Sequence, residues 1–75
     1  MNNKIVCQLR FDEENERITF DNTALHCGDC FEVLIFNGLT NKAEWIDTSL
    51  EMNHEKQWYL SGLIGYDIIG LFARM

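Results

Sequence analysis

The sequence predicts an all-β protein, a small barrel of five to six short antiparallel strands, and three observations predict it. Apolar residues recur at every second position through most of the chain, not at the spacing of a helix face. The alternating runs are separated by polar turn clusters at Asp12 to Glu16, Asn37-Gly38 and Asn53 to Lys56. With 75 residues, positions 1–75 form one small domain whose strands must close on one another to bury a core.

Each element follows in turn. Ile5, Cys7, Leu9 and Phe11 share one face of the first strand, with Lys4, Gln8 and Arg10 on the other. The charged turn from Asp12 to Glu16 leads to Ile18 and Phe20, so the two segments read as a hairpin. The next strand runs from Phe31 to Phe36 and ends at Asn37-Gly38. From Trp45 to Met52 the alternation resumes, with Ile46, Thr48, Leu50 and Met52 on one face. Neighbours in a strand point to opposite sides, so Trp45 and Ile46 cannot both enter the core. Asn53 to Lys56 makes a polar tip, Gln57 to Leu60 returns as a strand, and Ile68 to Arg74 supplies the last one. Leu34 and Ile46 are expected in the core.

Charge narrows the function. Twelve acidic residues against six basic ones leave a formal net charge of −6. Direct nucleic-acid binding calls for a cationic footprint, so it is not expected. An acidic protein suits a basic surface, such as the nucleic-acid channel of another protein; the same charge also serves solubility. The most apolar region, Trp58 to Ala73, is interrupted by Ser61, Asp67 and three glycines and is too short to span a bilayer. The N-terminal residues lack the apolar run of a signal peptide. A monomeric cytoplasmic protein with no membrane partner is expected, its three cysteines serving as thiols or ligands rather than disulfides.

Cys27-Gly28-Asp29-Cys30, with His26 beside it, is the chemical motif of the chain. Its spacing lets two sulfurs reach one metal ion across a turn, and a closed structural zinc needs four ligands. The others must come from Cys7, His26, His54 or a carboxylate. Antiparallel pairing of the strand from Phe31 with the one ending at Met52 brings the His54 tip toward the Cys27–Cys30 turn. The expected zinc set is therefore Cys7, Cys27, Cys30 and His54, with His26 able to replace Cys7 or His54. Cys7 also fits as a small core residue, and His54 as a solvated one. A dithiol redox pair lacks its βαβ setting, and no Ser-His-Asp or paired-carboxylate arrangement is recognisable, so catalysis is not expected. Asp12, Glu13, Glu14 and Glu16 place four carboxylates on one loop, either a solvated turn or a surface for lysines and arginines. Among Trp45, Trp58, Tyr59 and Tyr66, Trp45 is the preferred partner anchor, because it leaves the core face.

Two resemblances add to this. Thr23 to Leu34 resembles the diverging turn and following strand of SH3-like barrels. Trp45 stands where such barrels often begin the next strand, and Ile69-Gly70-Leu71-Phe72 resembles their closing segment. No proline follows Phe72, so recognition of proline-rich peptides is not carried over. Leu25-His26-Cys27-Gly28-Asp29, Phe31-Glu32-Val33-Leu34 and Trp58-Tyr59-Leu60-Ser61-Gly62-Leu63 resemble a bacterial family of uncharacterised small domains common on mobile elements. Short acidic proteins resembling that family include anti-CRISPR inhibitors of the type II RNA-guided endonuclease. The resemblance implies inhibition by binding that endonuclease and blocking target-DNA engagement. The alternative is a zinc-stabilised adaptor of a mobile element without inhibitory activity.

Overall fold

The alternating segments become strands, and more of them than expected. The computed structural model describes residues 4–63 and 65–75. Its strands are β1 (Val6–Gln8), β2 (Arg10–Asp12), β3 (Arg17–Phe20), β4 (Thr23–Ala24), β5 (Cys30–Asn37), β6 (Lys42–Met52), β7 (Trp58–Leu60) and β8 (Phe72–Arg74). One sheet has the order β1-β8-β5-β6-β7 and the other β2-β3-β4, with every pairing antiparallel. No helix among the described residues is long and apolar enough to cross a membrane.

Eight strands replace the expected five to six for two local reasons. The first expected strand divides at Leu9, which pairs with neither sheet's regular ladder. Its N–H donates to the Leu71 carbonyl at 2.8 Å and its carbonyl accepts from Gly70 N–H at 2.9 Å. Fully buried, Leu9 carries the chain from β1 in one sheet to β2 in the other. The second addition, β4, is made by Asp21-Asn22. Both have positive φ, 49° and 64°, the two-residue hairpin geometry that Asn and Asp tolerate, so Thr23 folds back onto Phe20.

The core follows from the register. Cys7, Ala73, Val33 and Ile46 lie in one cross-strand row, with Phe31 opposite Thr48 and Leu50 opposite Leu60. The smaller sheet adds Ile18 and Phe20, and Leu25 and Ile68 complete the cluster. Thr48 is buried but satisfied, its hydroxyl donating to the Ser61 carbonyl at 2.8 Å. Ile46 packs against this cluster as expected, whereas Leu34 does not belong to it. Leu34 sits opposite Trp45, on the other side of the sheet, because Val33 and Ile35 occupy the inward positions.

That outer face is organised by charge. Arg74 donates to both Glu32 oxygens, from Nε at 3.1 Å and Nη2 at 3.0 Å, and Lys4 adds a further ion pair to the same carboxylate. Arg74, then Lys4, pull the Glu32 carboxyl down from the ordinary 4.5 to about 2. The Arg74 guanidinium also lies 4.3 Å from the centre of the Trp45 ring.

Candidate functional site

The acidic loop is the tip of the β2–β3 hairpin, where Asp12 faces Arg17 in register. Asp12 does not present its charge freely. Its Oδ1 accepts the Glu14 N–H at 3.1 Å and its Oδ2 the Asn15 amide at 2.8 Å. The Asn15 side chain, opposed by some burial, holds the Asp12 carboxyl below its ordinary value. Asp12 therefore builds the turn. Glu13, Glu14 and Glu16 are the exposed carboxylates, and Glu16 takes the left-handed conformation, φ 53°, that closes the loop.

Arg17 ties this tip to the β6–β7 hairpin. Its Nη2 donates to the Leu25 carbonyl at 3.0 Å, and its guanidinium lies 5.8 Å from the Trp58 ring centre. Phe11, Glu16, Met52, Lys56 and Trp58 line a groove between the hairpins. Phe11 and Met52 keep 43% and 38% of their surface exposed, so the groove has apolar walls beside Glu16 and Lys56. Trp45 lies seven positions before Met52 on β6, roughly 23 Å along an extended strand. The structure thus pairs the acidic tip with Trp58 rather than with Trp45. Strand alternation identifies a residue's face but not which hairpins meet, so this juxtaposition was not legible. The trace it left in the sequence is Phe11, an apolar residue immediately before the charged turn.

The cysteine turn has its own geometry. Asp29 N–H donates to the His26 carbonyl at 3.0 Å, and Gly28 at φ 94° supplies the positive φ this tight turn needs. Asp29 Oδ2 accepts the His26 N–H at 2.7 Å, and lies 3.8 Å from His26 Nδ1. Gly28 N–H bonds the Leu50 carbonyl at 2.7 Å, and Leu50 N–H bonds the Asp29 carbonyl at 2.9 Å, stitching the turn to β6. Cys27 Sγ lies 3.5 Å from Glu51 Oε1, and Cys30 Sγ lies 3.6 Å from the Gly28 carbonyl.

Cys7, Cys27, Cys30 and His54 are not brought together. Cys7 packs against the core, while Cys30 shares the opposite face of the sheet with Glu32, and His54 stands exposed at the β6–β7 tip. Among the described residues, no three His, Cys, Asp or Glu side chains are grouped to hold a metal. The expected four-ligand zinc site does not fit this arrangement, since its members lie on two sides of one sheet.

Residues 7–74 match the family described as a domain of unknown function, DUF5348. The chain belongs to this family. No curated protein and no solved structure matches it. The DUF5348 span runs from Cys7 in β1 to Arg74 in β8, and so takes in both sheets, the acidic hairpin and the cysteine turn. Membership agrees with the expected uncharacterised small domain and brings no activity with it.

Proposed function

We propose that this DUF5348 protein inhibits a type II CRISPR RNA-guided DNA endonuclease by docking its acidic hairpin on a basic, nucleic-acid-binding surface. Productive engagement of target DNA is then blocked without any catalytic step. The observation that supports docking is the exposure of Glu13, Glu14 and Glu16 on the hairpin tip, of which Glu16 lines, with Lys56, the groove of Phe11, Met52 and Trp58. A lysine or arginine has an apolar stem and a charged end, which the apolar groove walls and Glu16 complement, with Glu13 and Glu14 adding charge on the same hairpin tip. Tryptophan is a frequent anchor at such interfaces, which gives Trp58 the central place. The net charge of −6 favours attraction to a basic surface over direct contact with nucleic acid. The choice of endonuclease rests on the resemblance carried by residues 25–34 and 58–63. With that partner, the protein acts as a monomer in the cytoplasm of the host cell.

Titration of the purified protein into an endonuclease cleavage reaction tests the proposal. Cleavage falls as the protein is added, and a complex appears on a sizing column. Reversing charge at Glu13, Glu14 and Glu16 slows association and flattens its salt dependence, with the fold intact. Undiminished cleavage at large molar excess, with no complex, rejects the inhibitor and leaves the adaptor role.

A further inference from the structure

The turn that joins β5 to β6 carries chemistry that the proposed function leaves unused. We propose that Asn37-Gly38 is a self-modifying site: the Gly38 amide nitrogen attacks the Asn37 side-chain carbonyl and converts Asn37, through a cyclic imide, to aspartate and isoaspartate.

The steps balance with water alone. The Gly38 N–H gives its proton to hydroxide and a bond forms between Gly38 N and Asn37 Cγ. The Cγ–Nδ2 bond then breaks, and ammonia leaves with a proton taken from water. Water next opens the imide. Opening at Cγ leaves an aspartate, whereas opening at the backbone carbonyl routes the main chain through Cβ. One water is consumed and one ammonia released, with no oxidant or reductant.

Three features of the turn favour this attack. The first is glycine as the nucleophile's residue, since no side chain hinders its approach to Cγ. The fold itself does not call for glycine there: Gly38 takes no positive φ, and an added Cβ would meet nothing within 4 Å. The second is a donor on the oxygen that becomes charged. Asn37 Oδ1 accepts the Leu39 N–H at 2.9 Å, which polarises the Cγ carbonyl and steadies the adduct as an oxyanion-hole donor does. The third is freedom of the nucleophile. Among the described residues no acceptor holds the Gly38 N–H, and Gly38 is exposed, so hydroxide and water reach it.

Asn53 supplies an internal comparison. Its Oδ1 accepts the Glu55 and Gln57 N–H groups, each at 2.9 Å, but His54 follows it in place of glycine. Asn15, Asn22 and Asn41 are also followed by residues with side chains. The change at Asn37 is confined to one end of the ladder. It alters the closing pair Asn37↔Lys42 and leaves Cys30↔Ser49 through Phe36↔Ala43 in place. Lys42 and Met52 mark the two ends of β6, roughly 33 Å apart along an extended strand, so the docking groove is remote from the modified turn.

The test is incubation of the purified full chain at mildly alkaline pH, followed by peptide mapping with mass spectrometry and an isoaspartate assay. Asn37 converts ahead of Asn15, Asn22, Asn41 and Asn53, and the product gains one negative charge on anion exchange. Gly38→Ala slows conversion at least about tenfold with an unchanged circular dichroism spectrum. His54→Gly, at an exposed position, makes Asn53 convert at a rate comparable to Asn37. In concentrated urea, where the Leu39 hydrogen bond is lost, Asn37 converts more slowly than in the folded chain. An inert Asn37, a Gly38→Ala protein converting as fast as the parent, an inert Asn53 in His54→Gly, or faster conversion of Asn37 in urea overturns the proposal. Cleavage inhibition is a separate readout, so this site and the proposed function fail independently.

Discussion

Replacing Leu50 and Leu34 with alanine, one at a time, asks whether the two faces of the large sheet are assigned correctly. Leu50 has no exposed surface, faces Leu60 across the β6–β7 ladder, and is covered by the turn bonded to its backbone. Leu50→Ala removes about three buried carbons, worth about 2.4 kcal/mol of transfer at about 0.8 each, and leaves a cavity that raises the loss to about 3–4 kcal/mol. A 75-residue domain holds about 4–11 kcal/mol in total, so this single change takes about a quarter or more of it. Leu34 is half-buried on the outer face opposite Trp45, where solvent fills the space left behind, so Leu34→Ala costs about 1 kcal/mol. Urea unfolding followed by tryptophan fluorescence separates them. At about 1 kcal/mol per molar urea, the midpoint falls by about 3–4 M for Leu50→Ala and by about 1 M for Leu34→Ala. A loss at Leu34 equal to or larger than that at Leu50 refutes the register, since a one-residue slip exchanges the faces.

The Glu32 carboxyl is held at about 2 in the folded chain against an ordinary 4.5, so the unfolded chain binds the proton more readily. Its stabilisation is fully present above about 4.5 and is lost as pH falls toward 2. Acid unfolding curves of Glu32→Gln are accordingly flatter in that window, the remaining slope including Asp12. Thr48→Val removes the buried donor to the Ser61 carbonyl and costs about 1 kcal/mol in the same urea assay. Glu16→Gly relieves a left-handed conformation that costs a side chain about 1 kcal/mol, against a similar entropic loss, so the thermal midpoint barely moves. The same substitution removes one carboxylate from the proposed docking surface, and the proposed function predicts slower association with the endonuclease.

Much of the fold was written in local pattern. Alternation placed Ile18, Phe20, Thr48 and Leu50 inward, and the charged run of residues 12–16 marked a hairpin that formed there. Position 34 shows the limit. Val33 to Phe36 is a continuous apolar run in which either parity can face the core. Glu32 just before it is the one polar residue marking the even positions as outward, and pairing with β6 and β8 puts Val33 and Ile35 inside. The cysteine turn was recognisable from its residues, and its nearness to the end of β6 followed from antiparallel pairing. Glu51 was not legible as its neighbour. An acidic residue on an exposed strand face looks like any solvated one until the ladder sets it beside Cys27. Trp58 was hidden in the same way, by the meeting of two hairpins far apart in sequence.

The pairing of β1 with β8 sets the order in which the protein can come into being. The row from Cys7 through Ala73 to Val33 closes only when residues more than sixty positions apart meet. Contacts of such span come late, because the chain must give up most of its freedom before they form. During synthesis, β5, β6 and β7 emerge before β8 and can pair, while one edge of β5 and the inner side of Val33 stay uncovered. A ribosome stalled short of Phe72, or a cut just before it, leaves a sticky half-sheet rather than a slightly shortened protein.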